Sequence, residues 1–99
     1  MNKGELIKKV VARIGGTEKK TGATLDAILE TITAAVASGD KVTLVGFGTF
    51  EARERQERKG RNPKTGELLT IPATVVPVFS PGKAFKDAIK QGMETEEAA

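Results

Sequence analysis

Apolar residues in the first forty positions recur at helical spacing. Leu6, Ile7, Val10, Val11 and Ile14 fall on one helical face. Asn2 and Glu5 have the spacing of an N-terminal capping pair, with Asn2 as the cap. Gly15-Gly16 stops this helix, and Thr17 can cap a second one. The apolar face of the second helix is Leu25, Ile28, Leu29, Ile32, Ala35 and Val36, and Gly39 fits its C-terminal cap. Residues 1–39 are therefore expected to form an αα-hairpin whose apolar stripes are core.

The period then changes. Lys41 to Val45 reads as a short strand, Gly46-Phe47-Gly48 as a turn, and Thr49 as the start of a long strand. That strand begins with apolar alternation at Phe50 and Ala52 and then becomes basic. After Asn62-Pro63-Lys64-Thr65-Gly66 the chain turns apolar again, from Leu68 to Phe79. Two strand-like segments joined at such a turn make a β-hairpin. Pro72 and Pro77 lie in the returning strand, and proline cannot donate to a ladder, so both must face an edge or a bulge. Residues 40–80 are expected to form a sheet with a protruding arm around 53–76. Pro81-Gly82 opens a last helix over 81–90, with Phe85, Ala88 and Ile89, and the acidic segment 91–99 is expected to be a frayed, flexible tail. The pattern predicts an α+β fold in one domain, residues 1–90.

Charge sharpens this outline. The chain has 99 residues and a formal net charge of +3. Between Arg53 and Lys64 stand six basic and two acidic residues, whereas Gln91 to Ala99 holds three acidic residues and no basic one. The positive charge is thus a patch on one strand and turn, which points to a polyanion. Charges also guard free strand edges against aggregation. Edge protection, however, requires neither the excess of arginine over lysine nor the concentration of charge towards the tip. Guanidinium forks suit phosphate oxygens, so polyanion binding is the favoured reading. Pro63 remains open on the residues alone: it sets φ in a turn, or it is a rigid apolar wedge at the end of a basic ribbon.

The absences remove other chemistries. The chain has no Cys, His, Trp or Tyr. There is no thiolate metal site, no thiol nucleophile and no imidazole base, and no paired constellation of the remaining polar residues suggests an enzyme. Only four Phe are present, few for stacking single-stranded bases. No apolar run approaches the roughly 20 residues of a membrane span. A cytoplasmic protein without metal, cofactor, small-molecule substrate or membrane partner is expected. A chain this small that sets part of itself aside as an arm has little left for a core, so a second subunit is expected to complete it.

The run G-F-G-T-F-E-A-R-E-R-Q-E-R-K-G-R-N-P-K-T-G, with G-D-K-V-T-L-V before it and P-G-K-A-F-K after it, resembles the bacterial histone-like HU family, to which integration host factor is related. The resemblance extends from Met1 to about Lys90. It implies an intertwined dimer with a helical base and two protruding β-ribbon arms. Minor-groove bending is an established property of this family, and the mechanism is carried over from it. The resemblance makes Pro63 the intercalating residue and puts Arg61 and Asn62 beside it in the minor groove. Arg53, Arg55, Arg58, Lys59 and Lys64 would follow the phosphates, and Lys3, Lys83 and Lys86 would meet the DNA backbone from the body. Phe47, Phe50 and Phe79 would form the aromatic centre of the dimer core.

Three features depart from the family pattern: Val75 where a basic residue is common, a looser joint at Gly15-Gly16, and the acidic extension 91–99. The implied function is binding, bending and compaction of double-stranded DNA in the nucleoid with little sequence preference. The implied assembly is a homodimer, with a heterodimer of paralogues left open. A sequence-preferring protein like integration host factor is the alternative, and an RNA-binding module is disfavoured because the A-form minor groove is shallow.

Overall fold

A computed structural model describes residues 1–98, with side chains placed through Met93. The chain is α+β and divides into two units, Met1–Ala34 and the remainder from Ala35.

In the first unit, α1 (Lys3–Ile14) begins at the expected cap: the Glu5 N–H donates to Asn2 Oδ1 at 2.9 Å. It ends at Gly15, whose φ of 83° lies in the region glycine favours, and whose N–H donates to the Val11 carbonyl at 2.8 Å. The next helix, α2 (Glu18–Ala37), is capped by Thr17, whose hydroxyl accepts from the Lys20 N–H at 3.1 Å. Gly22 of α2 faces α1: a Cβ added there would lie 3.4 Å from Ile7 Cδ1. Leu6, Ile7, Val10, Leu25 and Ile28 line an open groove of about 520 Å³.

The C-terminus of α2 closes as a Schellman motif. The Gly39 N–H donates to the Val36 carbonyl at 3.1 Å and the Asp40 N–H to the Ala35 carbonyl at 3.0 Å, with Gly39 at φ 91°.

The second unit is built on antiparallel strands. β1 (Val42–Leu44), β2 (Gly48–Arg55) and β5 (Thr74–Pro81) form a three-stranded sheet in the order β1-β2-β5. β3 (Arg58–Arg61) and β4 (Leu68–Ile71) form a separate two-stranded ribbon. The single long hairpin expected from the sequence is thus interrupted. Arg55 pairs with Thr74 and Arg58 with Ile71, leaving Gln56-Glu57 opposite Pro72-Ala73. Pro72 has no N–H for the ladder, which accounts for the break on its side. Pro77 stays within β5, an outer strand of this sheet.

The last helix also differs from expectation: α3 (Lys83–Ala98) continues well past residue 90. Its residues from Gln91 include Met, three Glu and Ala, all good helix formers, which outweigh Gly92 and the β-branched Thr95. Ala99, the end of the expected tail, lies outside the described residues.

The four phenylalanines meet in the second unit. Phe79 lies 4.8 Å from Phe50, 5.3 Å from Phe47 and 6.0 Å from Phe85, and Phe47 and Phe85 meet edge-on at 5.0 Å. Tilted and edge-to-face pairs at these separations each contribute about 0.5–1.5 kcal/mol beyond area burial. Even so, no large apolar side chain among the described residues is buried. Phe47 remains 41 % exposed and Phe79 37 %.

Gly48, in contrast, is buried. A Cβ there would sit 2.5 Å from the Phe79 ring and 2.7 Å from the Ser80 carbonyl oxygen, a backbone atom that cannot swing away. Gly48→Ala is therefore expected to destabilise the fold by about 1–3 kcal/mol, the usual cost of overpacking. Denaturant unfolding of both proteins at equal concentration checks this, and an unchanged midpoint would refute it.

Candidate nucleic-acid interface

The ribbon β3–β4 has no neighbouring strand on either side. Side chains alternate between its faces. By register, Lys59 and Arg61 share one face with Thr70 and Leu68, and Arg58 shares the other with Leu69 and Ile71. Cationic side chains therefore stand on both faces, and Arg58, Lys59 and Arg61 are all exposed. A ribbon charged on both faces suits a groove walled by phosphates on each side better than a flat anionic surface.

The tip is tied together by hydrogen bonds. The Asn62 N–H donates to the Glu67 carbonyl at 2.9 Å, closing the neck of the loop. The Gly66 N–H returns to the Asn62 carbonyl at 2.7 Å, with Gly66 at φ 74°. The Lys64 N–H donates to Asn62 Oδ1 at 2.9 Å, an Asx turn around Pro63. An Arg61 guanidinium N–H donates to the Gly66 carbonyl at 3.1 Å, and the Glu67 N–H to Thr65 Oγ1 at 3.3 Å. Pro63 thus stands at the end of a closed loop between a basic strand and Lys64. Asn62 is half-buried, whereas Pro63 and Lys64 are exposed.

The other sequence-derived candidates are placed differently. Arg53 and Arg55 lie on β2, on the face that also carries Glu51 and Thr49. Glu51, which sequence reasoning missed, accepts from Arg53 Nε at 2.9 Å through Oε1 and pairs with Lys41 Nζ at 3.3 Å through Oε2. Its partner across β1–β2 follows from the register, since Val42 faces Phe50. A second Arg53 nitrogen lies 2.8 Å from Glu51 Oε1 and 3.5 Å from Ser80 Oγ. Arg53 is therefore engaged within the sheet.

Lys3, at the start of α1, forms an exposed ion pair with Asp26 of α2. Lys83 and Lys86 occupy the first turn of α3, both exposed, and Lys90 follows at helical spacing on the same side. The spacing would have revealed Lys90 in the sequence. Among the described residues no His, Cys, Asp and Glu cluster could hold a metal, and no helix is long and apolar enough to cross a membrane.

An α+β chain that presents a two-stranded ribbon, cationic on both faces, has an architecture suited to a polyanion. Comparison with known proteins narrows this. Residues 1–90 match the family model described as bacterial DNA-binding protein. HU from Nostoc is 60% identical over 89 residues, covering 90% of this chain and 95% of that protein. HU from Geobacillus stearothermophilus is 56% identical over 90 residues, covering 91% and 100%.

Among solved structures, an HU–DNA cocrystal structure from Anabaena matches with a TM-score of 0.82 at 60% identity, over 90% of this chain and 97% of that one. HU from Thermotoga maritima matches with a TM-score of 0.65 at 42% identity, over 90% and 98%. The chain belongs to the HU family of bacterial DNA-binding proteins.

The Glu51 cluster has a pH signature. The hydrogen bond from Arg53, and then that from Lys41, hold the Glu51 carboxyl below its usual value of 4.5. A carboxyl depressed in the folded state binds its proton less readily there than in the unfolded chain. Its contribution to stability is therefore complete above about pH 4.5 and fades as the pH falls below that. Glu51→Gln is expected to lose less stability than the wild type between neutral pH and pH 3.5, read by thermal unfolding across pH. Parallel pH profiles would remove Glu51 from the acid response.

Proposed function

We propose that this chain is a non-enzymatic, homodimeric architectural protein that binds, bends and compacts double-stranded DNA with little sequence preference, working on the nucleoid in the bacterial cytoplasm. The observation that carries this reading is Pro63, exposed at the tip of a closed loop on a ribbon cationic along both faces. The Anabaena relative, crystallised with DNA, supports DNA as the ligand.

The mechanism has two parts. Arg55, Arg58, Lys59 and Lys64 meet phosphates and release counterions, which gives affinity without reading sequence. Lys3, Lys83, Lys86 and Arg53 extend the path along the DNA backbone. Lys3 and Arg53 must first exchange Asp26 and Glu51 for phosphate, a modest cost because exposed ion pairs contribute little. Arg61 enters the minor groove with the tip. Pro63 then wedges into a base step. Its ring has no N–H to desolvate and its φ is fixed, so it enters with little loss of hydration or freedom. Unstacking costs a few kcal/mol per step, and the bend offsets it by lengthening the contact path.

The missing core supports the dimer. The groove between α1 and α2 is open, the phenylalanine cluster is partly exposed, and no large apolar side chain among the described residues is buried. Soluble monomers rarely leave such apolar patches in contact with water, and a second copy covers them. The melting temperature is expected to rise with protein concentration, as linkage between folding and association requires. A concentration-independent melting temperature together with a monomer mass in solution would overturn the dimer.

Pro63→Ala tests the wedge. The substitution removes no charge, so a lost phosphate contact cannot explain its effect. Energy transfer across an end-labelled duplex, with both proteins at saturation, is expected to show less bending for the variant. Affinity is expected to fall more on intact duplex than on nicked DNA, where unstacking is already partly supplied. Equal transfer for the two proteins would leave Pro63 as a turn residue only.

A further inference from the structure

We infer that Asn62 acts on DNA through Pro63: it is a positioning residue whose side-chain oxygen holds the tip loop in the shape that presents the proline. The inference rests on the wedge reading given above. It departs from the expectation that Asn62 lies beside Pro63 as a groove contact.

The geometry assigns Asn62 three of the hydrogen bonds that close the loop. Its N–H, its carbonyl and its Oδ1 bond to the Glu67 carbonyl, the Gly66 N–H and the Lys64 N–H respectively. A backbone N–H can only donate, so the atom facing Lys64 must be the oxygen of the Asn62 amide. That oxygen is thereby engaged before any ligand arrives, and Asn62 is half-buried while Pro63 is exposed.

Pro63 has no N–H of its own and contributes nothing to the loop's hydrogen bonding from its nitrogen. Its orientation is set by the bonds on either side of it. The Asx turn spans it directly, from residue 62 to residue 64. A wedge on a freely moving loop would have to be ordered during binding, and that ordering entropy would be subtracted from the energy available to unstack a base step. Asparagine fits this position because its short side chain can reach the backbone two residues on, and serine performs the same turn more weakly.

The test compares wild type, Asn62→Ala and Asn62→Ser. Serine keeps a neutral acceptor and lacks the amide, whereas alanine lacks both. Exchange of the Lys64 backbone amide with water is read by NMR on the DNA-free protein. Bending is read by energy transfer on an intact duplex at saturation. In Asn62→Ala the Lys64 amide is expected to exchange about five- to tenfold faster, the loss of one hydrogen bond, and bending is expected to fall. Asn62→Ser is expected to recover most of both.

Equal loss of bending in both variants, with Lys64 exchange as slow as in wild type, would make the amide a DNA reader and overturn the inference. Faster exchange in Asn62→Ala with undiminished bending would overturn it too, by showing that the turn does not orient the wedge. Failure of the underlying reading is distinguishable, because it would appear as wild-type protein that does not bend the duplex.

Discussion

The second unit is organised by the contact of four phenylalanine rings around the first residue of β2. Phe47 comes from the turn before that strand, Phe50 from the strand itself, Phe79 from β5 and Phe85 from α3. A Gly82 N–H donating to the Phe47 carbonyl at 2.8 Å ties the start of α3 to the same turn. Gly48 makes this possible, since any side chain there would collide with the Phe79 ring and the Ser80 carbonyl. The pairing of Gly48 with Pro81 fixes the register of β2 against β5, and that register runs on to Arg55 and Thr74. The strands that lead into the ribbon are thus aligned from their aromatic end.

A two-stranded ribbon has no interior, so β3–β4 must be held by means other than burial. Its backbone ladder is one means and the tip loop is the other. Three hydrogen bonds through Asn62, together with the Arg61 bridge to the Gly66 carbonyl, close a loop that contains the proline. The same absence of interior frees the ribbon to carry cations on both faces. It also leaves Leu68 of β4 at 66 % exposure without cover in the single chain. In the adjoining sheet Val75 stands opposite Glu54, so this acid has no cationic neighbour directly across the strand pair.

Affinity and placement of charge are separate matters in this chain. The cations of β3 carry no ion-pair partner among the described residues, whereas Arg53 and Lys3 are held by Glu51 and Asp26. A ligand phosphate must compete for the latter two and not for the former. Among the described residues, the cations of β3 are therefore open to an anion without first giving up an ion-pair partner, as are Lys83 and Lys86 of α3.

Much was legible in the sequence because it depends on local rules. Asn2, Thr17 and Gly39 mark helix ends by the hydrogen bonds that their side chains or backbones can make within one turn, and all three do so. Periodicity marked both helices of the hairpin, and the basic run from Arg53 to Lys64 reads as one arm, of which the structure sets Arg58–Arg61 apart as a ribbon strand. What depends on residues distant in sequence was not legible. Glu51 looks like one more acid in a mixed strand until the register brings Lys41 across from it and the pleat aligns it with Arg53. The break between the sheet and the ribbon needs Pro72 set opposite Gln56-Glu57, which only pairing decides. Phe85 reads as part of a helix stripe, and the fold makes it the fourth ring of the cluster. The extension of α3 to Ala98 was obscured by a different balance, in which the helical preference of Glu and Ala outweighs one glycine and an acidic run. Local hydrogen-bonding and steric preferences act within a few residues and can be read in order along the chain, whereas register, ion pairing and ring contacts arise when strands meet.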